Sequence, residues 1–252
     1  MESIWILSGV HQESIRSPSG VYQESIHFIR SPSGCVGECN LQQTKATIKV
    51  QITELADPGE FAVETENKGI MQLLVFGNTG NLSHLESAIS NMKLADQLMD
   101  DGHPDQPKCL SNLGSAQQIH FECLGDSSDL ENAISNLEKA VQLMDDGNPD
   151  QPMYLFELGR AQHTCFKHLG DLSNLENAIS NLEKAVQLTD DEHPQKPVCL
   201  SNLGSAQQTH FEHLGDLSDL ENVIINQEKA IQLMDDGHPD QPTYLSNLGA
   251  AQ

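Results

Sequence analysis

The chain has 252 residues and a formal net charge of −24, from 13 basic and 37 acidic side chains. Charge of that sign repels nucleic acid and anionic lipid and steers basic partners inward. No apolar run approaches the ~20 residues that a membrane-spanning helix needs, and 4% aromatic content with one Trp leaves Leu, Ile, Ala and Met to supply any core.

The N-terminal residues are low in complexity. Gln12-Glu13-Ser14-Ile15 and Arg16-Ser17-Pro18-Ser19-Gly20-Val21 are nearly restated as Gln23-Glu24-Ser25-Ile26 and Arg30-Ser31-Pro32-Ser33-Gly34-Cys35. Ser, Pro and Gly at that density cannot build a core, so residues 1–43 are expected to be disordered. Met1-Glu2-Ser3 and the brief IWIL lack a basic start and a long apolar region, which argues against a secretory signal and for the cytoplasm or nucleus. Ile48, Val50 and Ile52 alternate with polar residues, so residues 44–70 read as a strand-like or irregular remnant.

From residue 71 the chain repeats itself every 45 residues. Ala88, Ala133, Ala178 and Val223 hold one repeat position, and Pro104, Pro149, Pro194 and Pro239 another. Gly114, Gly159, Gly204 and Gly249 hold a third. A fixed period of this length marks a solenoid, whose units bury their apolar faces only against neighbours. Residues 71–252 are therefore one array, with units near 82–126, 127–171, 172–216 and 217–252, and Met71 to Gly80 reads as a degenerate half unit because Phe76 matches Phe121.

Each unit predicts two helices. In helix B the apolar residues Leu130, Ala133, Ile134, Leu137, Ala140, Val141 and Met144 follow the i, i+3, i+4, i+7 progression. Ser128-x-x-Glu131, with Ser83/Glu86, Ser173/Glu176 and Ser218/Glu221, reads as a capping box at its start. Gly102, Gly147 and Gly237 read as its stop, and Glu192 in the third copy predicts a looser one. Helix A opens near Pro107, Pro152, Pro197 and Pro242, where proline is tolerated, and Leu110, Leu113, Gly114, Gln117, Phe121 and Leu124 mark one face. A recurring glycine inside that helix, which costs about 1 kcal/mol against alanine, predicts close approach of another helix.

Leu113-Gly114 followed by Ala133, Ala140 and Pro149, and again Leu203-Gly204, Val223, Ala230 and Pro239, resemble the tetratricopeptide (TPR) repeat with extra residues in each unit. The phrases LSNLG and LEKAVQLTDDEHP are similar to long arrays of mushroom-forming fungi, some of which carry a caspase-like CHAT protease domain after the array. The resemblance implies an all-α, right-handed α-solenoid of antiparallel helix pairs whose A helices line a concave groove. It also implies a protein–protein interaction scaffold that takes a partner peptide or protein there. Asn112, Asn202 and Asn247 match the asparagine that often bonds a bound peptide's backbone in such arrays, and Glu157 departs from it. With Gln118, Arg160, His163 and Gln208 these residues form the candidate binding set, for a partner expected to be basic. The alternatives are a regulatory arm of a larger CHAT-type protease or signalling protein, or a decayed paralogue.

Chemistry of other kinds has little footing. No Gly-rich phosphate loop, GxSxG elbow or HExxH occurs, so neither an enzyme nor a cofactor is expected. The six cysteines do not form a disulfide framework: Cys109 and Cys199 hold one repeat position in alternate units, which are far apart in a solenoid. His120/Cys123, Cys165/His168 and His210/His213 share two repeat positions at i, i+3, a spacing that can ligate a metal, but each pair lacks a third ligand. The family's equivalents look mostly like arginines, whose codons become His or Cys by one transition, so drift at exposed sites is the favoured reading and no metal is expected.

Overall fold

A computed structural model describes residues 16–17, 20–21, 58–145, 147–234, 238 and 241–251. The chain divides into two units, Met1–Ala56 and Asp57–Gln252. In the first, β1 (Arg16–Ser17) and β2 (Gly20–Val21) pair antiparallel, Arg16 opposite Val21. The expected disorder and the strand-like pattern of residues 44–56 otherwise lie outside the described residues.

The second unit is helical throughout. Its described helices are α1 (Pro58–Thr79), α2 (Leu82–Leu98), α3 (Gln106–Leu124), α4 (Ser127–Gln142), α5 (Gln151–Leu169), α6 (Leu172–Leu188), α7 (Lys196–Leu214), α8 (Leu217–Gln232) and α9 (Gln241–Ala251). Odd-numbered helices are A and even-numbered ones B. The tightest packing joins each A to the B that follows it across a two-residue turn. Residues 58–70, read above as strand-like or irregular, belong to α1, so the array opens with a full pair rather than a half unit. Gly69, Gln72 and Phe76 stand 45 residues before Gly114, Gln117 and Phe121 and show why: they are helix A's inner-face residues without the surrounding words.

Local chemistry sets the helix ends. Gly80, Gly125, Gly170 and Gly215 take φ between +66° and +75°, and each N–H donates back to Phe76, Phe121, Phe166 or Phe211 at 2.7 Å, which ends helix A. The next residue, Asn81, Asp126, Asp171 or Asp216, caps helix B by accepting from the backbone N–H of Ser83, Ser128, Ser173 or Ser218. The cap therefore lies two residues before the serine that the capping-box reading chose. Helix B also ends earlier than the glycine stop implied: Gly102 and Gly147 sit at φ +82° in the following loop. In the third copy, where Glu192 replaces glycine, the end is held rather than loose. Lys196 Nζ donates to the carbonyls of Val186 at 2.8 Å and Thr189 at 2.6 Å, satisfying two carbonyls that the helix end leaves open.

The core follows the repeat. Ala88, Ala133, Ala178 and Val223 are completely buried, and so are Leu85, Leu137, Leu175 and Leu182. The helix-A glycine is a notch for helix B: a Cβ on Gly114 would lie 2.7 Å from Leu137 Cγ and 3.0 Å from the Ala133 carbonyl, and Gly159 meets Leu182 and Ala178 in the same way. Gln117, Gln162 and Gln207 are buried beside it, and each accepts from an asparagine of helix B, Asn136, Asn181 or Asn226, at 2.7–2.9 Å. A buried amide costs free energy only if unpaired, so these pairs fix the A–B register without opening the core.

Candidate functional site

The backbones of consecutive A helices come close to one another, α1 to α3, α3 to α5, α5 to α7 and α7 to α9, whereas those of the B helices stay farther apart, α2 and α4 being joined through the Lys139–Asp96 ion pair at 3.6 Å. The A layer is thus the shorter, inner face of the stack. All seven candidate residues lie on it, but the structure treats them differently.

Asn112 is half-buried and donates to Glu66 Oε1 at 2.9 Å, from α3 across to α1. Glu66 is completely buried; Lys108 Nζ approaches the same oxygen at 3.5 Å, and Oε2 has no protein partner. Neither Glu66 nor its closeness to Asn112 was found in the sequence, because α1 was not read as a helix. Gln118 is buried, donating to Glu122 Oε1 at 3.3 Å. His163 is buried too, with Nε2 3.0 Å from Thr209 Oγ1, which ties α5 to α7. Burial pushes the His163 imidazole down to about 4, with Lys167 adding to the effect, so the ring is neutral at pH 7.

Arg160 and its neighbours make α5 distinct. Its guanidinium lies 6.0 Å from the Phe156 ring centroid, within cation–π range, and its Nε is 3.5 Å from Glu157 Oε2 without a formed hydrogen bond. Burial raises the Glu157 carboxyl, opposed by Arg160 and reinforced by Glu122. On α7, Asn202 donates to the Val198 carbonyl of its own helix at 2.9 Å, and half-buried Gln208 donates to Glu212 at 3.1 Å. Asn247, on α9, is half-buried.

Charge is unevenly placed around this face. The five A helices carry five basic and six acidic residues, so the inner face is close to neutral. The acidity sits on the B helices and in the loops leading from B to A, each with three acidic residues, as in Asp100, Asp101 and Asp105.

The histidine–cysteine pairs are not exposed at their first position, where they make contacts within the fold. His120 and His210 bond Asp129 and Asp219 through Nδ1 at 2.6 Å, linking the end of helix A to the first turn of helix B, and Cys165 is buried at the equivalent place. At the second position, His168 meets Phe121 and His213 meets Phe166 edge-on across successive pairs. Among the described residues no group of three or more His, Cys, Asp or Glu side chains could hold a metal ion. Burial pushes the Cys109 thiol up to about 12 and raises Cys165 and Cys199, so these sulfurs stay protonated and poorly nucleophilic. Among the described residues, no helix is long and apolar enough to cross a membrane.

Comparison with solved structures decides the architecture. A crystal structure from Podospora anserina, described as a putative kinesin light chain with nearly identical TPR-like repeats, superposes with a TM-score of 0.55 at 16% identity, over 77% of this chain and 86% of that one. A single-substitution variant of that protein gives the same TM-score at 15% identity. The fold is that of TPR-like helical repeats. MamA aligns over 67% of this chain and 77% of its own at 20% identity, with a TM-score of 0.47. No family model and no curated protein match the sequence.

Proposed function

We propose that the chain is a protein–protein interaction scaffold that holds an extended peptide segment along its A layer. The observation that carries this reading is the row of amides Asn112, Asn202 and Asn247, one per helix at whole-repeat spacing, interrupted on α5 by Glu157 and Arg160. Amides offer both donors and acceptors, which suits an extended backbone whose N–H and C=O groups are unpaired. The Phe156–Arg160 pair, near the middle of the row, adds the aromatic and guanidinium surface that anchors many interfaces.

The charge pattern refines the partner. A near-neutral inner face gives little attraction of its own, while the acidic loop edge draws a basic partner toward the array. Basic residues of the partner then lie against the loops, and its more neutral segment lies in the groove. Gln118 and His163, enclosed between helices, support the groove wall.

The test uses the full chain immobilised beside a variant carrying Asn112→Ala, Asn202→Ala and Asn247→Ala. Partners captured from a lysate are identified, and their binding segments mapped by cross-linking. Loss of three hydrogen bonds worth about 1 kcal/mol each weakens a groove-bound partner roughly a hundredfold, and its cross-links fall on A helices. A partner held equally by both proteins, or cross-linked only to the loops, defeats the groove reading.

A further inference from the structure

The notch beside the helix-A glycine is filled by Met92 over Gly69, Leu137 over Gly114 and Leu182 over Gly159, all completely buried. In the next pair the equivalent residue is Gln227. It is equally enclosed, 1% exposed, and a Cβ on Gly204 would lie 2.8 Å from its Nε2. Its amide finds one partner: Nε2 donates to the Ser201 carbonyl at 3.3 Å, a long bond, and Oε1 is buried with no protein partner. A buried unpaired acceptor forfeits its hydration without replacement, whereas leucine in the same space forfeits nothing.

We infer that the α7–α8 pair is a built-in opening point of the solenoid, set by Gln227 at the position where the other pairs carry an apolar side chain. Stability in a repeat array is approximately a sum over units and their neighbour contacts, so a defect confined to one A–B interface lowers the opening cost there and leaves the others unchanged. Separation of α8 from α7 gives the Gln227 amide water, a gain that no leucine-filled notch offers. The consequence reaches the inner face. Asn202 and Gln208 ride on α7, which α5 holds through the His163–Thr209 bond. Loosening α7–α8 changes how firmly α7 presents those two side chains beside Arg160.

Hydrogen–deuterium exchange of the full chain, read helix by helix, tests this. Wild-type α7 and α8 exchange faster than α5 and α6, and Gln227→Leu slows α7 and α8 by about tenfold or more without altering α3 to α6. Gln227→Met, unbranched like glutamine and matching Met92 in the first pair, gives the same slowing and guards against a misfit of the branched side chain. The converse variant Leu182→Gln brings α5 and α6 to the wild-type rate of α7 and α8. Equal wild-type protection of the two pairs overturns the inference, and so does exchange in α7 and α8 that neither Gln227 variant slows.

Discussion

The α5–α6 and α7–α8 pairs are built from nearly the same words and differ where it matters. Both carry the helix-A glycine, the buried Gln–Asn pair and the Asp cap. Yet α5 places Phe156, Glu157, Arg160 and His163 where α7 has Ser201, Asn202, Ser205 and Gln208, and the leucine filling the first notch is Gln227 in the second. The shared residues hold helix A to helix B, and the differences fall on helix A and, at Leu182 and Gln227, inside the A–B contact itself. The solenoid is therefore uniform in backbone construction and non-uniform in the side chains it carries on it.

The largest expected effect concerns the tie between the two pairs. His163 is held down at about 4 by burial, whereas the unfolded chain titrates near pH 6.5. The unfolded state therefore takes up the proton first as pH falls. Stability is untouched above pH ~6.5, declines between ~6.5 and ~4, and loses no more from this group below that, by at most about 3 kcal/mol. His163→Gln, which installs the residue found at this place in α3 and α7, removes that part of the decline. Urea unfolding of both proteins at several pH values between 7 and 4 measures it. Parallel curves would show that His163 is solvated in the folded chain.

A smaller effect separates the notches themselves. Gly159→Ala drives a methyl to within 2.7 Å of Leu182 Cγ and 3.1 Å of the Ala178 carbonyl, and neither atom can swing away. Overpacking of that kind costs about 1–3 kcal/mol, more than the ~1 kcal/mol that alanine returns in helix propensity. Gly204→Ala meets only the far end of Gln227. That amide can rotate aside, so the substitution is close to neutral. Thermal unfolding of the two single variants gives the comparison directly, and equal losses would mean that Gln227 fills its notch as rigidly as Leu182.

Much of the architecture was legible because a 45-residue word repeated in one chain displays its own periodicity, and the apolar spacing of Leu130 to Val141 is that of a helix. Limits appeared where single residues decide. Helix α1 keeps Gly69, Gln72 and Phe76 but writes Lys68 where the others have leucine, so the pattern fell below notice. The caps lie two residues earlier than the serines suggest, because Ser128 and Asp126 both suit a helix start and only geometry tells which oxygen reaches the open N–H. On the candidate site, position along helix A selected the residues. It could not show that the neighbouring A helix comes near enough to bury Gln118 and His163, or that Glu66 waits for Asn112 from 46 residues away.

The smallest prediction is that one feature does not differ between the pairs. Asn181 donates to buried Gln162 at 2.8 Å, and Asn226 to buried Gln207 at 2.9 Å. Asn181→Ala and Asn226→Ala each leave a buried amide oxygen without its donor, at a cost of about 1–2 kcal/mol. Adding Gln162→Leu or Gln207→Leu returns most of that loss, because an apolar side chain in the same space has nothing to leave unpaired. Denaturant midpoints of the two singles and two doubles close the comparison. If the Asn226 variant costs much less than its counterpart, α7–α8 is already open for a large part of the time, and Gln227 is then a symptom of a wider loosening rather than its cause.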